Sequence, residues 1–325
     1  VLGLAAVAVA ARGLGREALA LSLAGLVAAL RPEAVLWAGA LALMPGREAT
    51  LPRARALALA LLPALGVAGV RLAVFGRLLP LAIYAKTPEI GHGLRYAAAC
   101  ALLTGPIALV AWQNLPGWIR GLQLAVVAHY LAIVLAGGDW MPLSRLAVTV
   151  LPTVVLGAAY VLGAGRLAWS LPRLGLALAG QLFAFVQAGP AAAAVGERRL
   201  AVIAELAPLL ASSRSVAALD IGWVGVATDA DIVDLAGITD PAVAALPGGH
   251  TSKRIPRSLL EAREVDTLVL LVRPGTAVAE PWHESAFARY VEEWLVTQSA
   301  ADVHFALGGQ SRPPLQNLVL RPPSV

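Results

Sequence analysis

Four stretches of this chain contain no Asp, Glu, Lys or Arg: Tyr96–Ile119, Gly121–Gly138, Leu146–Gly165 and Leu174–Gly196. Each reaches or approaches the roughly 20 residues that a helix needs to cross the hydrocarbon core of a bilayer. A fifth apolar run, Ala56–Val70, continues past Arg71 to Phe75. Two shorter runs, Ala18–Leu30 and Ala34–Met44, flank Arg31-Pro32-Glu33, where a proline and two charges predict a tight turn between short helices. Val1–Ala11 reads as the tail of one more. About eight helical segments are therefore expected.

The charges divide the chain. Residues 1–195 hold 14 Lys/Arg and 5 Asp/Glu, whereas residues 196–325 hold 11 and 15. Over the whole chain hydrophobic residues make up 58% and charged residues 14%, well below the roughly 25% charge of a soluble domain. A fully soluble enzyme and a disordered chain are both excluded. The net charge of +5 forms no basic stripe, which argues against nucleic acid as a partner. A single cysteine, Cys100, excludes a disulfide framework or a cysteine metal cluster. The chain opens at Val1 inside an apolar run, without Met or a basic segment. That is not a signal-peptide pattern, and the expectation is a chain whose start lies upstream.

The expected architecture is a polytopic α-helical membrane domain over 1–195 and a small soluble α/β domain over 196–325. In the second region Glu197–Ala211 and Glu284–Gln298 read as amphipathic helices. Ser215–Leu219, Ile232–Leu235, Thr267–Val272 and Val303–Leu307 read as short strands, with an edge strand at Asn317–Leu320. One set of loops carries Arg12, Arg16, Arg47, Arg53, Arg55, Arg120, Arg166 and Arg173; the other carries Arg31, Arg77, Lys86, Arg95 and Arg145. The bias places the first set in the cytoplasm. The 76–95 and 137–145 loops and the C-terminal domain then face outward.

Several motifs fail on inspection. Gly13–Ala18 resembles a dinucleotide fingerprint but lies between two apolar runs. Asp229, Asp231 and Asp234 lack the glycine and terminal Glu of a calcium loop. Cys100, His92 and His129 read as packing or loop residues, and Arg31–Glu33 as an ion pair bracing a turn. Arg71 is different: it lies in an apolar helix near its outer end, where it either snorkels to headgroups or serves a site. Arg77 and Lys86 follow on the same side, and three cations at a membrane surface can grip a phosphate. Gly137-Gly138-Asp139-Trp140-Met141 directly follows a span, and Asp139 is the only acidic residue between Glu89 and Glu197. A turn with an interfacial tryptophan is the plain alternative.

Four segments carry a family resemblance. Leu30-Arg31-Pro32-Glu33 is similar to an "LxRPE" junction. Arg71 through Phe75-Gly76, Pro80 and Tyr84-Ala85-Lys86-Thr87 resembles an "R…YYGxxxPNTxYAKT" stretch. Gly137–Met141 with Arg145 and Pro152 resembles "GGDWMxxxRxxxPxxP". Asp220–Gly222, Asp234–Pro241 and Gly248–Lys253 resemble "DxG…DLxGLxDP…GGHTSK". Together they resemble the C-type glycosyltransferases, polytopic membrane enzymes that take sugars from polyprenyl-phosphate donors, and within them an arabinofuranosyltransferase-like bacterial subgroup with a soluble C-terminal domain. Leu81-Ala82 replaces the usual Asn-Thr, and Phe75 replaces the second Tyr.

The resemblance implies transfer of a sugar from a polyprenyl-phosphate donor to an envelope glycan or glycolipid acceptor at the outer face of the bacterial inner membrane. Donor phosphate binding falls to Arg71, Lys86 and Arg77, which share a membrane depth. Asp139, Trp140, Arg145 and Tyr84 fall to the outer cavity and acceptor, with Asp139 pairing with Arg145, orienting the acceptor or holding a divalent cation. His250 and Lys253 fall to glycan handling by the outer domain. The family places its catalytic acid in a first outer loop upstream of Val1, so the catalytic base has no counterpart here and this chain alone is expected to be inactive. The rival readings are a membrane transporter, with Arg71 lining the path, and a non-catalytic envelope assembly protein. A transporter should show two similar halves, and no internal repeat is found.

Overall fold

In a computed structural model of the chain the described residues are 1–48, 51–86, 90–111, 114–139, 145–165, 167–248, 253, 255–272 and 316–320. Their helices are α1 (Leu2–Gly13), α2 (Glu17–Leu30), α3 (Val35–Leu43), α4 (Arg53–Phe75), α5 (Leu81–Ala85), α6 (Ile90–Thr104), α7 (Gly117–Leu135), α8 (Leu151–Ala164) and α9 (Leu167–Leu210). There follow β1 (Ser215–Ala218), α10 (Ile221–Ala227), β2 (Asp231–Asp234), α11 (Pro241–Ala244), α12 (Arg257–Ala262), β3 (Thr267–Val272) and β4 (Gln316–Leu320). Two compact units emerge. The first comprises the described residues of Val1–Leu79 and Pro88–Val186; the second comprises those of Pro80–Thr87, Gln187–Phe305 and Gly309–Val325, with the boundary inside α9.

Four segments of the first unit are long and apolar enough to cross a membrane: Arg53–Phe75, Gly117–Leu135, Arg145–Ala164 and Ala168–Val186. Leu2–Gly13, Glu17–Leu30 and Pro32–Leu43 are apolar but shorter. The window Tyr96–Ile119, expected as one span, is not one. Helix α6 stops at Thr104, Gly105 takes a left-handed φ of 63°, and Pro106 opens a short 3-10 turn before α7 starts at Gly117. Proline lacks an N–H and disfavours helical backbone at the residue before it. Freedom from charge therefore did not mean freedom from breaks.

The interior of this unit is built from small residues. Ala24, Ala28, Ala56 and Ala60 are buried with Leu21, Trp37, Leu41, Ile119 and Leu122. Helices α2 and α4 touch at Gly25, where a Cβ would lie 2.5 Å from the Leu59 carbonyl oxygen and 2.9 Å from Pro63 Cγ. Pro63 has no N–H for that carbonyl, and the missing side chain at Gly25 lets the other helix close over the gap. Trp37 Nε1 donates to Thr153 Oγ1 at 3.0 Å, joining α3 to α8. At the α1–α2 turn, Arg12 donates to the carbonyls of Met44 (2.8 Å) and Pro45 (3.2 Å), and Glu17 accepts from the Gly46 amide at 3.0 Å. Both charges are buried and hold the end of α3.

The second unit is an α/β layer structure. Its sheet has the order β2-β1-β3-β4, with β1 parallel to β2 and β3, and β4 antiparallel to β3. Val216 and Ala218 pack with Leu206 and Leu210 of α9 and Val224 and Ala227 of α10. Ser215, on the opposite face by strand alternation, donates to the Arg263 carbonyl just after α12 at 3.1 Å. The expected strands at 215–219, 232–235 and 267–272 and the edge strand near 317–320 appear within a residue or two. The expected strand Val303–Leu307 and helix Glu284–Gln298 lie outside the described residues.

Candidate functional site

Within the first unit, two glycines end α7 and deliver an acid to its C-terminal end. Gly137 and Gly138 have φ of 77° and 73°, and their amides donate to the carbonyls of Val134 (3.0 Å) and Ile133 (2.9 Å). Left-handed glycines commonly close a helix in this way. At Gly138 a Cβ would lie 2.8 Å from Tyr96 Cβ, so that position also needs glycine for space. Asp139 follows at once. Its carboxylate is 1% exposed and accepts from Arg145 Nε, while the Arg145 side chain is 42% exposed. Burial of the acid and its pairing with the cation fix the guanidinium and leave it as the accessible member. Among the described residues the two Nη groups make no hydrogen bond.

Two histidines hold the surrounding backbone. His92 Nε2 lies 3.1 Å from the Asp139 carbonyl, and His129 Nε2 lies 2.8 Å from the Leu146 carbonyl. Carbonyls only accept, so each ring carries its proton on Nε2 in these bonds. His129 is fully buried on α7 and also lies within electrostatic reach of Arg31 and Glu33. Those two form the expected ion pair, at 3.1 Å. His129 thus holds the carbonyl of Leu146, the residue after Arg145, and lies within electrostatic reach of the Arg31–Glu33 pair. The reading of His129 as a helix-packing residue agrees with its complete burial on α7.

Arg71 sits on α4, partly exposed between exposed Val70 and Leu72, and among the described residues makes no hydrogen bond or ion pair. Arg77 follows Gly76, whose left-handed φ of 67° ends α4. Both belong to the first unit, whereas Lys86 and Tyr84 belong to the second. Trp140 and His250 lie outside the described residues. Among the described residues no group of three His, Cys, Asp or Glu side chains is arranged to hold a metal ion.

In the second unit, α5 packs against α11. This sets Leu81–Ala85, with Lys86 directly after it, against Pro241–Ala244. Ala85 is completely buried, and Tyr84 is half exposed. Lys253, expected to handle glycan, lies inside the second unit. It is only 2% exposed, and its Nζ donates to the carbonyls of Ala244 (2.9 Å) and Leu246 (2.8 Å). Burial pushes its pKa below the usual lysine value. Asp220, just beyond β1, is shifted the other way: burial raises its carboxyl above the ordinary range, against a smaller lowering by Arg199. The Arg199 guanidinium lies over the Trp223 ring, 4.0 Å from its centroid.

A family model described as a domain of unknown function, DUF8728, matches residues 193–310, less than half of the chain. No curated protein and no solved structure matches.

Proposed function

We propose that the chain is part of a membrane glycosyltransferase that moves a sugar from a polyprenyl-phosphate donor to an envelope glycan or glycolipid acceptor, on the outer side of the bacterial inner membrane. The C-terminal domain faces outward. The observation that carries the reading is the buried Asp139 carboxylate at the end of α7, which holds the half-exposed Arg145 guanidinium. Polar and ionised side chains at a membrane helix end are costly and mark function. A polyprenyl phosphate keeps its tail in the bilayer and its phosphate at the boundary, where a fixed guanidinium such as Arg145 suits it. When the phosphate leaves, the same cation stabilises the charge that develops on it. Arg71 and Lys86 are the further donor contacts in this reading.

The test is sugar transfer by the purified full-length protein, with a synthetic polyprenyl-phosphate sugar and an oligosaccharide acceptor. Arg145→Gln removes a charge-assisted contact of roughly 1.5–3 kcal/mol, so donor use should fall about ten- to hundredfold. Arg71→Ala should fall similarly if Arg71 grips phosphate and remain unchanged if it only snorkels. No transfer by the wild-type protein with any polyprenyl-linked sugar would overturn the reading.

A further inference from the structure

We infer that Lys253, Asp240 and Arg263 are positioning residues: they fasten α11, and α11 is the mount for the Tyr84–Lys86 segment. This rests on the glycosyltransferase reading only for what that segment does, not for the mount itself.

Helix α11 has four residues, Pro241–Ala244. A single turn has no stability of its own, so its fixed position must come from side chains, and both of its ends are held. At the N-terminal end Asp240 Oδ1 accepts from the amides of Ala242 (2.9 Å) and Val243 (3.3 Å), and Oδ2 pairs with Arg263 Nη1 at 3.1 Å. At the C-terminal end Lys253 holds two carbonyls. The approach is fastened as well. Asp234, 1% exposed, accepts from the Ala236 amide (2.9 Å), the Thr239 amide (2.7 Å) and the Thr239 hydroxyl (2.9 Å). Gly237, with φ of 70°, brings the chain so close to α11 that a Cβ would sit 2.6 Å from the Ala244 nitrogen.

Burying an ammonium against uncharged carbonyls is costly. An apolar residue could fill the same space, so the lysine needs another reason to be there. The structure supplies one: α5, five residues long and also unable to persist alone, packs on α11 and buries Ala85. The chain reaches α5 directly from α4 and goes on to α6. The α5 segment, which lies between α4 and α6 in the chain, is thus seated on α11 within the second unit, with Tyr84 and Lys86 at its end. Lys253 acts on the donor through this seat and touches no sugar.

The experiment is hydrogen exchange on the full-length protein in nanodiscs, with polyprenyl phosphate binding measured on the same samples. Lys253→Met removes two charge-assisted hydrogen bonds, so amides in 241–246 should exchange at least about tenfold faster. The inference requires that amides 82–86 speed up with them, while β1, β2 and α7 stay unchanged. Polyprenyl phosphate should bind about tenfold more weakly, and Lys253→Arg should restore part of both. Should Lys253→Met fail to fold, Arg263→Gln at the half-exposed end of the other fastening should give a smaller change in the same two peptides. Loosening of 241–246 with 82–86 unchanged overturns the inference. So does loosening spread evenly through the sheet. If the wild-type protein binds no polyprenyl phosphate, the donor reading falls, and the exchange result still decides the mount.

Discussion

Helix α4 and the 215–272 region treat exposed apolar side chains in opposite ways. Along α4, Leu62, Leu65, Val70, Leu72, Val74 and Phe75 are all strongly exposed. Among the described residues from Ser215 to Val272, Val226 is the only exposed large hydrophobic. The interiors differ too. The first unit packs alanine and glycine so that backbones approach, and the second packs Leu and Val around a sheet and buries fully hydrogen-bonded acids such as Asp234. Each unit has the surface its solvent allows: where lipid is the solvent, apolar area outside costs nothing, and close backbone packing must supply what the hydrophobic effect does not.

The sharpest way to break this comparison is to place one charge at two equally exposed positions. Leu65 is 62% exposed near the middle of α4, and Val226 is 67% exposed in α10. An acid at the centre of a membrane helix costs about 3 kcal/mol on insertion scales. Surface changes in a soluble domain stay within about 0.5 kcal/mol. Leu65→Asp should sharply reduce the membrane-inserted, folded fraction, and Val226→Asp should leave it unchanged. Equal effects in an insertion assay would mean that α4 faces water.

Next in size is Gly25→Leu. The new side chain meets the Leu59 carbonyl and the Pro63 ring, and neither can move without shifting α4. Overpacking of this kind costs about 1–3 kcal/mol, and a lowered thermal midpoint in detergent would show it. Its counterpart is Gly222→Ala in α10, where a Cβ meets nothing nearer than Asp220 Oδ1 at 3.9 Å. There alanine should stabilise by about 0.5–1 kcal/mol, since glycine is the poorer helix residue.

The sequence made the spans legible because charge-free windows report on solvent directly. It concealed the break at Gly105–Pro106, since a glycine and a proline carry no charge and leave hydropathy high. The three parallel strands were legible as short apolar runs between turn residues. The burial of Lys253 was not legible for an equally physical reason. A lysine beside Gly248-Gly249 looks like a solvated loop cation, and only the tertiary fold shows it closing onto the end of α11. The seating of α5 on α11 joins residues some 160 positions apart, and no local pattern encodes a contact of that range. The same holds for the nearness of His129 to the Arg31–Glu33 pair.

An effect similar in size to that of Gly25→Leu is expected at Asp234. Asp234→Ala removes three hydrogen bonds to a buried carboxylate; the Thr239 groups it leaves are open to water, but the Ala236 amide is buried. A loss of about 2 kcal/mol is expected, read as lower thermal stability of the second unit. Unchanged stability would mean that this turn, unlike the packed glycine contacts of the first unit, tolerates loss of its fastening.

The smallest effect has the opposite sign, and it comes from Asp220. Burial raises its carboxyl pKa above the ordinary value by more than Arg199 lowers it. The folded state therefore holds this proton more tightly than the unfolded state. Stability from this group is present below the unfolded pKa, declines as pH rises through the window up to the folded pKa, and stays reduced above it. Asparagine keeps the shape and the helix-capping preference without the charge, and its side-chain oxygen can still accept from Trp223 and the Gly222 amide, which also lower the Asp220 pKa. Asp220→Asn should therefore raise the unfolding midpoint slightly at pH 7, with the advantage vanishing near pH 3, where both side chains are neutral. Thermal melts at the two pH values decide it. A variant less stable at pH 7 would show that attraction to Arg199, which also lies over Trp223, outweighs burial. A variant more stable at pH 7 would mean that the second unit keeps one acid at a cost to its own stability, as the first unit keeps Asp139.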